Sequence, residues 1–405
     1  MSKTLVLITT AFPFGRGEQF LESEVDILAT QFDRIVVVPQ KKTGEARSLP
    51  ENFFVDKGFA TLVSKDGALK RVALAIFYWA KNNNIFPLKS ADIKSHLVAS
   101  YYAYRSGQYF YKLCESLRSK DGAVVFYSYW FYPVVVGLVD IKKKYKMDGL
   151  SIVTRAHGSD VYEAVHGISE FPFRRRVINC LTRVFCISDN GAEHIRKKYG
   201  AKNVEVSRLG SREPRSVPGS GNGVATIVSC SSINSIKRVS RIFDVVNLLA
   251  KENPGDSIEW VHIGSGPLEE SLRLYIQQRA ESNLVVTLKG FMGNDDVHGF
   301  YEQNYVDCFI NLSTSEGVPV SIMEAMSYGI PVVATRVGGV PEIVESGAGI
   351  LVDVDATLSD VSQAVLNLLK KSRDGSARAA ARRVWMQKYN AAKNYRDFAN
   401  TLASL

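Results

Sequence analysis

Cysteine is scarce and unpatterned in this chain. Its 405 residues contain five (Cys114, Cys180, Cys186, Cys230, Cys308), none in a C-x-x-C pair. That argues against a zinc ribbon and against a disulfide framework. Most of the five sit beside apolar, strand-like residues, where a thiol behaves as a small hydrophobe, and a reducing cytoplasm is the expected compartment. Long apolar runs are also missing. No stretch of eighteen apolar residues occurs, so no membrane-spanning helix is expected. The apolar residues near the start are too few for a secretory signal and read as a first strand. No G-x-G-x-x-G follows that strand with an acid about twenty residues on, which argues against a dinucleotide dehydrogenase. Asn311-Leu312-Ser313 spells a glycosylation acceptor, but without a secretory signal it reads as coincidence.

Acidic residues are in deficit on one side only. Residues 1–210 hold 31 Lys+Arg against 20 Asp+Glu, or +11; residues 211–405 hold 19 against 21, or −2, which together give the net +9. A basic first half favours an anionic partner there, such as an anionic membrane surface or a phosphorylated substrate. Residues 70–81 mix bases with aromatics (Lys70, Arg71, Phe77, Tyr78, Trp79, Lys81), a combination that suits a bilayer interface. Peripheral association with an anionic membrane is therefore expected; nucleic acid is not. The tyrosine-dense residues 100–111 read first as packing, with a membrane- or acceptor-facing insert as the alternative.

What is present is a repeated grammar. Short apolar runs at residues 4–8, 34–38, 123–127, 151–154, 183–187 and 204–206 alternate with helical stretches. After a Gly/Pro/Ser-rich segment, the pattern resumes at 225–229, 258–263, 284–288, 308–312, 331–334 and 350–352. Continuous apolar runs separated by helices argue for parallel sheets covered on both faces. The expectation is α/β: two tandem doubly wound, Rossmann-like domains at residues 1–209 and 224–384, joined by a linker at 210–223.

The most informative segment is Glu316-Gly317-Val318-Pro319-Val320, with a second carboxylate eight positions on at Glu324. Pro319 fits a first helical turn, whose N–H groups lack intrahelical partners. Glu316 then stands in the loop before a helix and Glu324 inside it. Helix N-termini favour phosphates and hydroxyls, and carboxylates accept from hydroxyls, so the pair suits a polyhydroxylated ligand.

With Ala325-Met326, Gly329, Pro331-Val332-Val333 and Val337-Gly338-Gly339-Val340-Pro341-Glu342 following, this E-x7-E segment resembles the signature of the retaining glycosyltransferases of family 4. The resemblance covers the second half nearly end to end and the first half at four places. It implies the GT-B fold, two Rossmann-like domains with a cleft between them, and a final helix at about 385–405 that crosses back onto the first domain. The first domain would bind the acceptor and the second the nucleotide-sugar donor.

The resemblance also implies roles. Lys237, after a strand and before a helix, would hold the donor diphosphate. The family's usual arginine position is Ser231 here, and Arg238 is the residue that could compensate. Gly264 and Gly266 form a tight turn shaping the nucleotide pocket, and Phe291 and Met292 lie where relatives present backbone to the base. Gly15, Arg16 and Gly17 form a glycine loop near the diphosphate and acceptor, where the absence of side chains lets backbone approach a ligand. His157, in Arg155-Ala156-His157-Gly158-Ser159-Asp160, would approach the donor sugar. Glu316, Lys237 and His157 are the expected catalytic residues. Gly317, Val318, Pro319, Val320 and Glu324 complete the donor site.

The function so implied is transfer of a sugar from a nucleoside diphosphate to a glycan or lipid-linked acceptor in cell-surface polysaccharide synthesis. Retention would follow front-face departure. Neither cofactor nor divalent metal is expected. Two alternatives stay open at this point: an epimerase of the same fold, and a nucleotide-sugar-binding protein without turnover, suggested by Ser231.

Overall fold

The structure is a computed structural model, and it describes residues 2–15, 18, 21–82, 90–118, 122–221 and 223–405. Arg16 and Gly17, two of the expected loop residues, lie outside the described residues. The chain divides into two compact units, one running to Ser207 and completed by Tyr395–Leu405, the other formed by Arg208–Asn394.

The first unit is built on β1 (Ser2–Thr9), β2 (Arg34–Pro39), β3 (Phe53–Val55), β4 (Gly122–Ser128), β5 (Ser151–Ala156), β6 (Arg183–Cys186) and β7 (Val204–Val206). All pairings are parallel, in the order β3-β2-β1-β4-β5-β6-β7. Leu5 registers against Ile35 on one side and Val125 on the other. Successive residues of β1 face opposite sides, and both sides are buried: Val6 and Ile8 join one apolar cluster, Leu5 and Leu7 the other. That two-faced burial is why the strand reads as an unbroken apolar run. The last helix, Ala391–Ala403, belongs to the second cluster through Phe398, whose ring meets those of Tyr127 at 5.2 Å and Phe185 at 5.0 Å.

The described residues between 41 and 121 form the short strand β3 and the helices Gly58–Ser64, Ala68–Asn82 and Ser90–Arg118, the third of these being the longest. The 29-residue third helix buries Ala103, Phe110, Cys114 and Leu117, a stripe at helical spacing, against the sheet layer. Its Arg105 is also buried, and the guanidinium donates twice to the Asp66 carboxylate at 2.7 Å. A buried charge is tolerated only in such a pairing.

The second unit repeats the plan with β8 (Ala225–Cys230), β9 (Ile258–Ile263), β10 (Leu284–Leu288), β11 (Cys308–Asn311), β12 (Val332–Thr335) and β13 (Gly349–Val352). The order is β10-β9-β8-β11-β12-β13, again parallel. Residues 210–211, at the start of the Gly/Pro/Ser-rich segment, are held inside this unit. The Ser211 N–H donates to Tyr389 O at 3.0 Å, and the Trp385 indole donates to Ser211 Oγ at 2.8 Å. At this point the C-terminal helical stretch breaks into Ser376–Lys388 and Ala391–Ala403.

Each sheet reverses its winding once, between β1 and β4 and between β8 and β11. In open α/β sheets such switch points open a crevice at the strands' carboxyl ends, the usual place for a ligand.

Candidate functional site

At the β8/β11 switch point the two loops leaving the strands meet. The first runs from Cys230 to Lys237 and into the helix Val239–Glu252; the second runs from Asn311 to Glu316 and into the helix Val320–Ser327. Lys237 Nζ lies 2.6 Å from Glu316 Oε1, an ion pair in which the glutamate side chain is nearly buried and the lysine side chain is 24% exposed. The same Oε1 accepts from Ser313 Oγ at 2.7 Å and Asn311 Nδ2 at 3.1 Å. Glu316 is therefore oriented from three sides while its partner faces solvent. The Asn311 and Ser313 that spell a glycosylation triplet are the groups that orient it.

Glycines set the backbone around the pair. A Cβ on Gly338, whose φ is +52°, would lie 1.9 Å from Glu316 O, and the Gly339 N–H donates to Gly317 O at 2.7 Å. Across the loop, a Cβ on Gly264 would meet Ser231 O at 1.9 Å, and one on Gly266 would meet Ile233 O at 2.4 Å. These contacts press the Gly264–Gly266 turn against the Ser231–Ile233 backbone. Ser231 is half-buried there and brings no charge. Phe291 is exposed and Met292 half-buried, just past Gly290.

Arg238, the residue that could compensate for Ser231, does not join the pair. Its backbone is left-handed at φ +48°, and its guanidinium donates to Leu312 O at 2.6 Å and Val354 O at 2.9 Å. It ties the loops together instead. A D-x-D triplet, Asp353-Val354-Asp355, follows β13; its Asp353 is exposed and stands 3.6 Å from Arg336. Among the described residues no group of three His, Cys, Asp or Glu side chains is placed to hold a metal ion.

Pro319 takes the position just before the helix, with Val318 and Pro319 buried and Gly317 and Val320 half-buried. Glu324 lies inside the helix, buried, and accepts from Asn294 Nδ2 at 2.6 Å. Burial raises its pKa to about 7, opposed by the Asn294 hydrogen bond and the charge of Arg212. This has a sign that can be tested. Below the ordinary carboxylate value of 4.5 both folded and unfolded chains hold the proton, and nothing is lost. As pH rises from there to about 7 the unfolded chain releases the proton first, so stability falls; above 7 the loss is complete, on the order of 3 kcal/mol. Glu324→Gln keeps an acceptor for Asn294 without the charge. Its stability relative to the parent, from urea unfolding, is expected to rise by up to that amount between pH 5 and pH 8. Parallel pH profiles would refute the assignment of a proton to Glu324.

In the first unit, the loops after β1, β4 and β5 carry the remaining candidates. His157 follows β5 and is buried, its ring 4.4 Å from Trp130 and 4.9 Å from Tyr129. Burial, aided by the charge of Arg155, pushes its pKa well down, so it is a neutral imidazole at pH 7. Asp160 fixes the segment by accepting from the backbone N–H of His157 and, at 2.7 Å, from that of Phe131. Gly15 needs its positive φ of +65°, and its N–H donates to Glu45 O at 3.1 Å.

The sequence reading missed Glu18. Its carboxylate accepts from the N–H groups of Thr10 (2.9 Å), Ala11 (2.8 Å) and Phe12 (2.8 Å) and from the Trp130 indole (2.6 Å). One side chain thus joins the β1 loop to the indole that packs against His157. An acid just ahead of a helix has an ordinary reading as a favourable first-turn charge, and nothing in the local sequence shows that it turns back onto the strand end.

Comparison with known proteins adds three findings. Residues 225–371 match the family model of the glycosyl transferases, group 1. WcaL of Escherichia coli K12, a protein named for colanic acid biosynthesis, is 31% identical over 170 residues, which are 40% of this chain and 41% of that one. WbnH of Escherichia coli, named an O-antigen biosynthesis glycosyltransferase, is 29% identical over 202 residues, 49% of this chain and 55% of its own. The alignments with the first three curated relatives span 22% to 41% of their lengths. Among solved structures, Anabaena HepE in complex with UDP and glucose superposes with a TM-score of 0.63 at 17% identity, covering 99% of both chains. Residues 225–371 are thus similar to the group 1 glycosyl transferases, and the chain has the α/β, Rossmann-like GT-B fold of its structural neighbours.

Proposed function

We propose that the protein is a retaining, metal-independent glycosyltransferase that moves a sugar from a nucleoside diphosphate onto a glycan or lipid-linked acceptor in cell-surface polysaccharide synthesis. The observation that carries this is the Lys237–Glu316 ion pair at the β8/β11 switch point. A leaving diphosphate needs a cation, and a sugar with developing positive charge needs acceptors placed in advance. Lys237 supplies the first. Glu316, held by Ser313 and Asn311, supplies the second once the diphosphate draws the ammonium away. Glu324 accepts from the nucleotide ribose, and the Gly264–Gly266 and Phe291–Met292 segments border the base. His157 is a neutral hydrogen-bonding group. The printed names of WbnH and of AmsK from Erwinia amylovora, the latter 29% identical over 125 residues, support a polysaccharide role.

A thermal-shift screen of UDP-, GDP- and ADP-sugars, followed by assay of the hits against candidate acceptors, tests the reading. One donor is expected to stabilise the protein and to be consumed only with an acceptor present. Consumption without acceptor would indicate an epimerase, and binding without turnover a carrier.

The first unit is assigned a cytoplasmic, peripheral contact with anionic membrane. The helix Ala68–Asn82 supports this, because Leu69 is 90% exposed and Val72, Ile76 and Phe77 are at least half exposed, on a helix that also carries Lys70, Arg71 and Lys81. Each basic residue near an anionic surface contributes about 1 kcal/mol, screened within a Debye length of about 10 Å. Flotation with vesicles is expected to rise with anionic lipid and to fall steeply with added salt. No lipid-dependent flotation at low salt would remove the membrane claim alone. No described helix is long and apolar enough to cross a membrane.

A further inference from the structure

A large cavity of the first unit lies away from its strand ends. The helix Val134–Lys144 starts near the carboxyl end of β4 and runs about 15 Å to Lys144. At its far end, between it and the helices Ala68–Asn82 and Ser90–Arg118, is a groove of about 1100 Å³. That exceeds the roughly 300–1,000 Å³ usual for a small-molecule site, and it suits a ligand of several linked units.

The lining is aromatic and basic. Tyr111 and Tyr145 face each other with ring centroids 4.2 Å apart, and Tyr104 meets Phe77 edge-on at 5.9 Å. The acid in the wall is already engaged: Asp140 takes the Tyr78 hydroxyl, and Arg176 at 3.1 Å. Arg105 is likewise committed to Asp66. Tyr111 donates to Glu115, outside the lining, at 2.7 Å. Four ammonium groups remain, on Lys81, Lys112, Lys143 and Lys144, and among the described residues none of them forms an ion pair. The groove therefore shows net positive charge over flat rings that carry hydroxyls.

We propose that this groove binds an acidic glycan chain, the part of the polymeric acceptor remote from the reacting sugar. Pyranose rings present apolar C–H faces that lie on tyrosine rings, and their hydroxyls accept from the phenols of Tyr104 and Tyr145. Carboxylate or acidic substituents along the chain meet the lysines. Gln108 and Asn82 are held by Arg105 and Arg176 within the wall, whereas the hydroxyls of Tyr104 and Tyr145 donate to no described group; a lipid tail would leave those two donors unmatched, and this selects the saccharide over a membrane lipid. The proposal rests on the reading of the protein as a glycan-extending transferase. It adds that the acceptor is anionic and is held at a second point.

The test uses the full chain and three probes: oligogalacturonate, a neutral malto-oligosaccharide, and vesicles with and without anionic lipid. Oligogalacturonate is expected to bind, and the malto-oligosaccharide much more weakly. Lys112→Ala combined with Lys144→Ala removes two exposed charges and is expected to weaken oligogalacturonate about tenfold. Tyr145→Ala, which removes a partly exposed ring, should weaken both saccharides. Donor binding, read by thermal shift with whichever sugar nucleotide the donor screen selects, should not change in either variant. Equal affinity for the two saccharides, or an affinity indifferent to the variants, would overturn the proposal. So would loss of vesicle flotation with saccharide affinity intact, which would give the groove to lipid. Failure of the donor reading would appear separately, as the absence of any stabilising sugar nucleotide.

Discussion

Glu316→Ala is expected to lower kcat about a hundredfold or more while changing donor affinity only a few-fold. The carboxylate is nearly buried and already aimed, with Ser313 and Asn311 donating to the oxygen that also meets Lys237. A group fixed before substrate arrives stabilises charge at no reorganisation cost when the bond breaks. Removing it leaves Lys237 in contact with solvent, so no charge is stranded in an apolar interior and the fold should survive. Stopped assays with the cognate donor, beside calorimetric donor binding and urea unfolding of both proteins, separate the contributions. Near-normal turnover in a folded Glu316→Ala variant would sink the assignment. A fall in donor affinity of the same size as the fall in kcat/KM would move Glu316 from the reacting sugar to ground-state binding.

The parallel sheets were legible because their strands are buried on both faces, and such strands carry apolar runs that local reading can find. Residues 41–121 were not legible for the opposite reason. The helix Ala68–Asn82 buries Ala75 and Tyr78 but also exposes Leu69, Val72, Ile76 and Phe77. Apolar residues on most of its surface blur the periodicity that would reveal which face packs. The short strand β3 pairs only at the edge, with β2, and offers three residues to read.

The site divides along the same line. Glu316 and Lys237 stand out locally, each beside a strand end, yet their contact spans 79 positions and follows only from the neighbouring places of β8 and β11. Arg238 is the residue that could compensate for Ser231 by its place in the sequence, which does not fix its direction. A left-handed backbone at Arg238 sends its guanidinium to Leu312 and Val354, away from its neighbour's ammonium. Glu18 directly follows the glycine loop in sequence, and its work depends on a fold-back onto residues 10–12 and on an indole 112 positions away.

Lys237→Ala is expected to cost about tenfold to a hundredfold or more in kcat/KM. A charge-assisted contact is worth about 1.5–3 kcal/mol, and among the described residues of these two loops no second cation is directed to the same place. Ser231 brings none, and Arg238 is turned away into carbonyl contacts. The loss should appear in both donor affinity and kcat, because the diphosphate is present in the ground state and gains charge as it leaves. The ion pair adds a further consequence. With Lys237 gone, Glu316 keeps its two neutral donors but loses its counter-charge, so a carboxylate placed for the sugar now repels the incoming diphosphate. Lys237→Ala combined with Glu316→Ala should therefore be less damaging than the product of the single effects, with a coupling of about 0.5–3 kcal/mol, the range for residues in contact. The four kcat/KM values of that cycle decide the matter. Strict additivity would mean that the two residues act on separate parts of the reaction. A Lys237→Ala variant indistinguishable from the parent would place the phosphate site away from the β8/β11 switch point altogether.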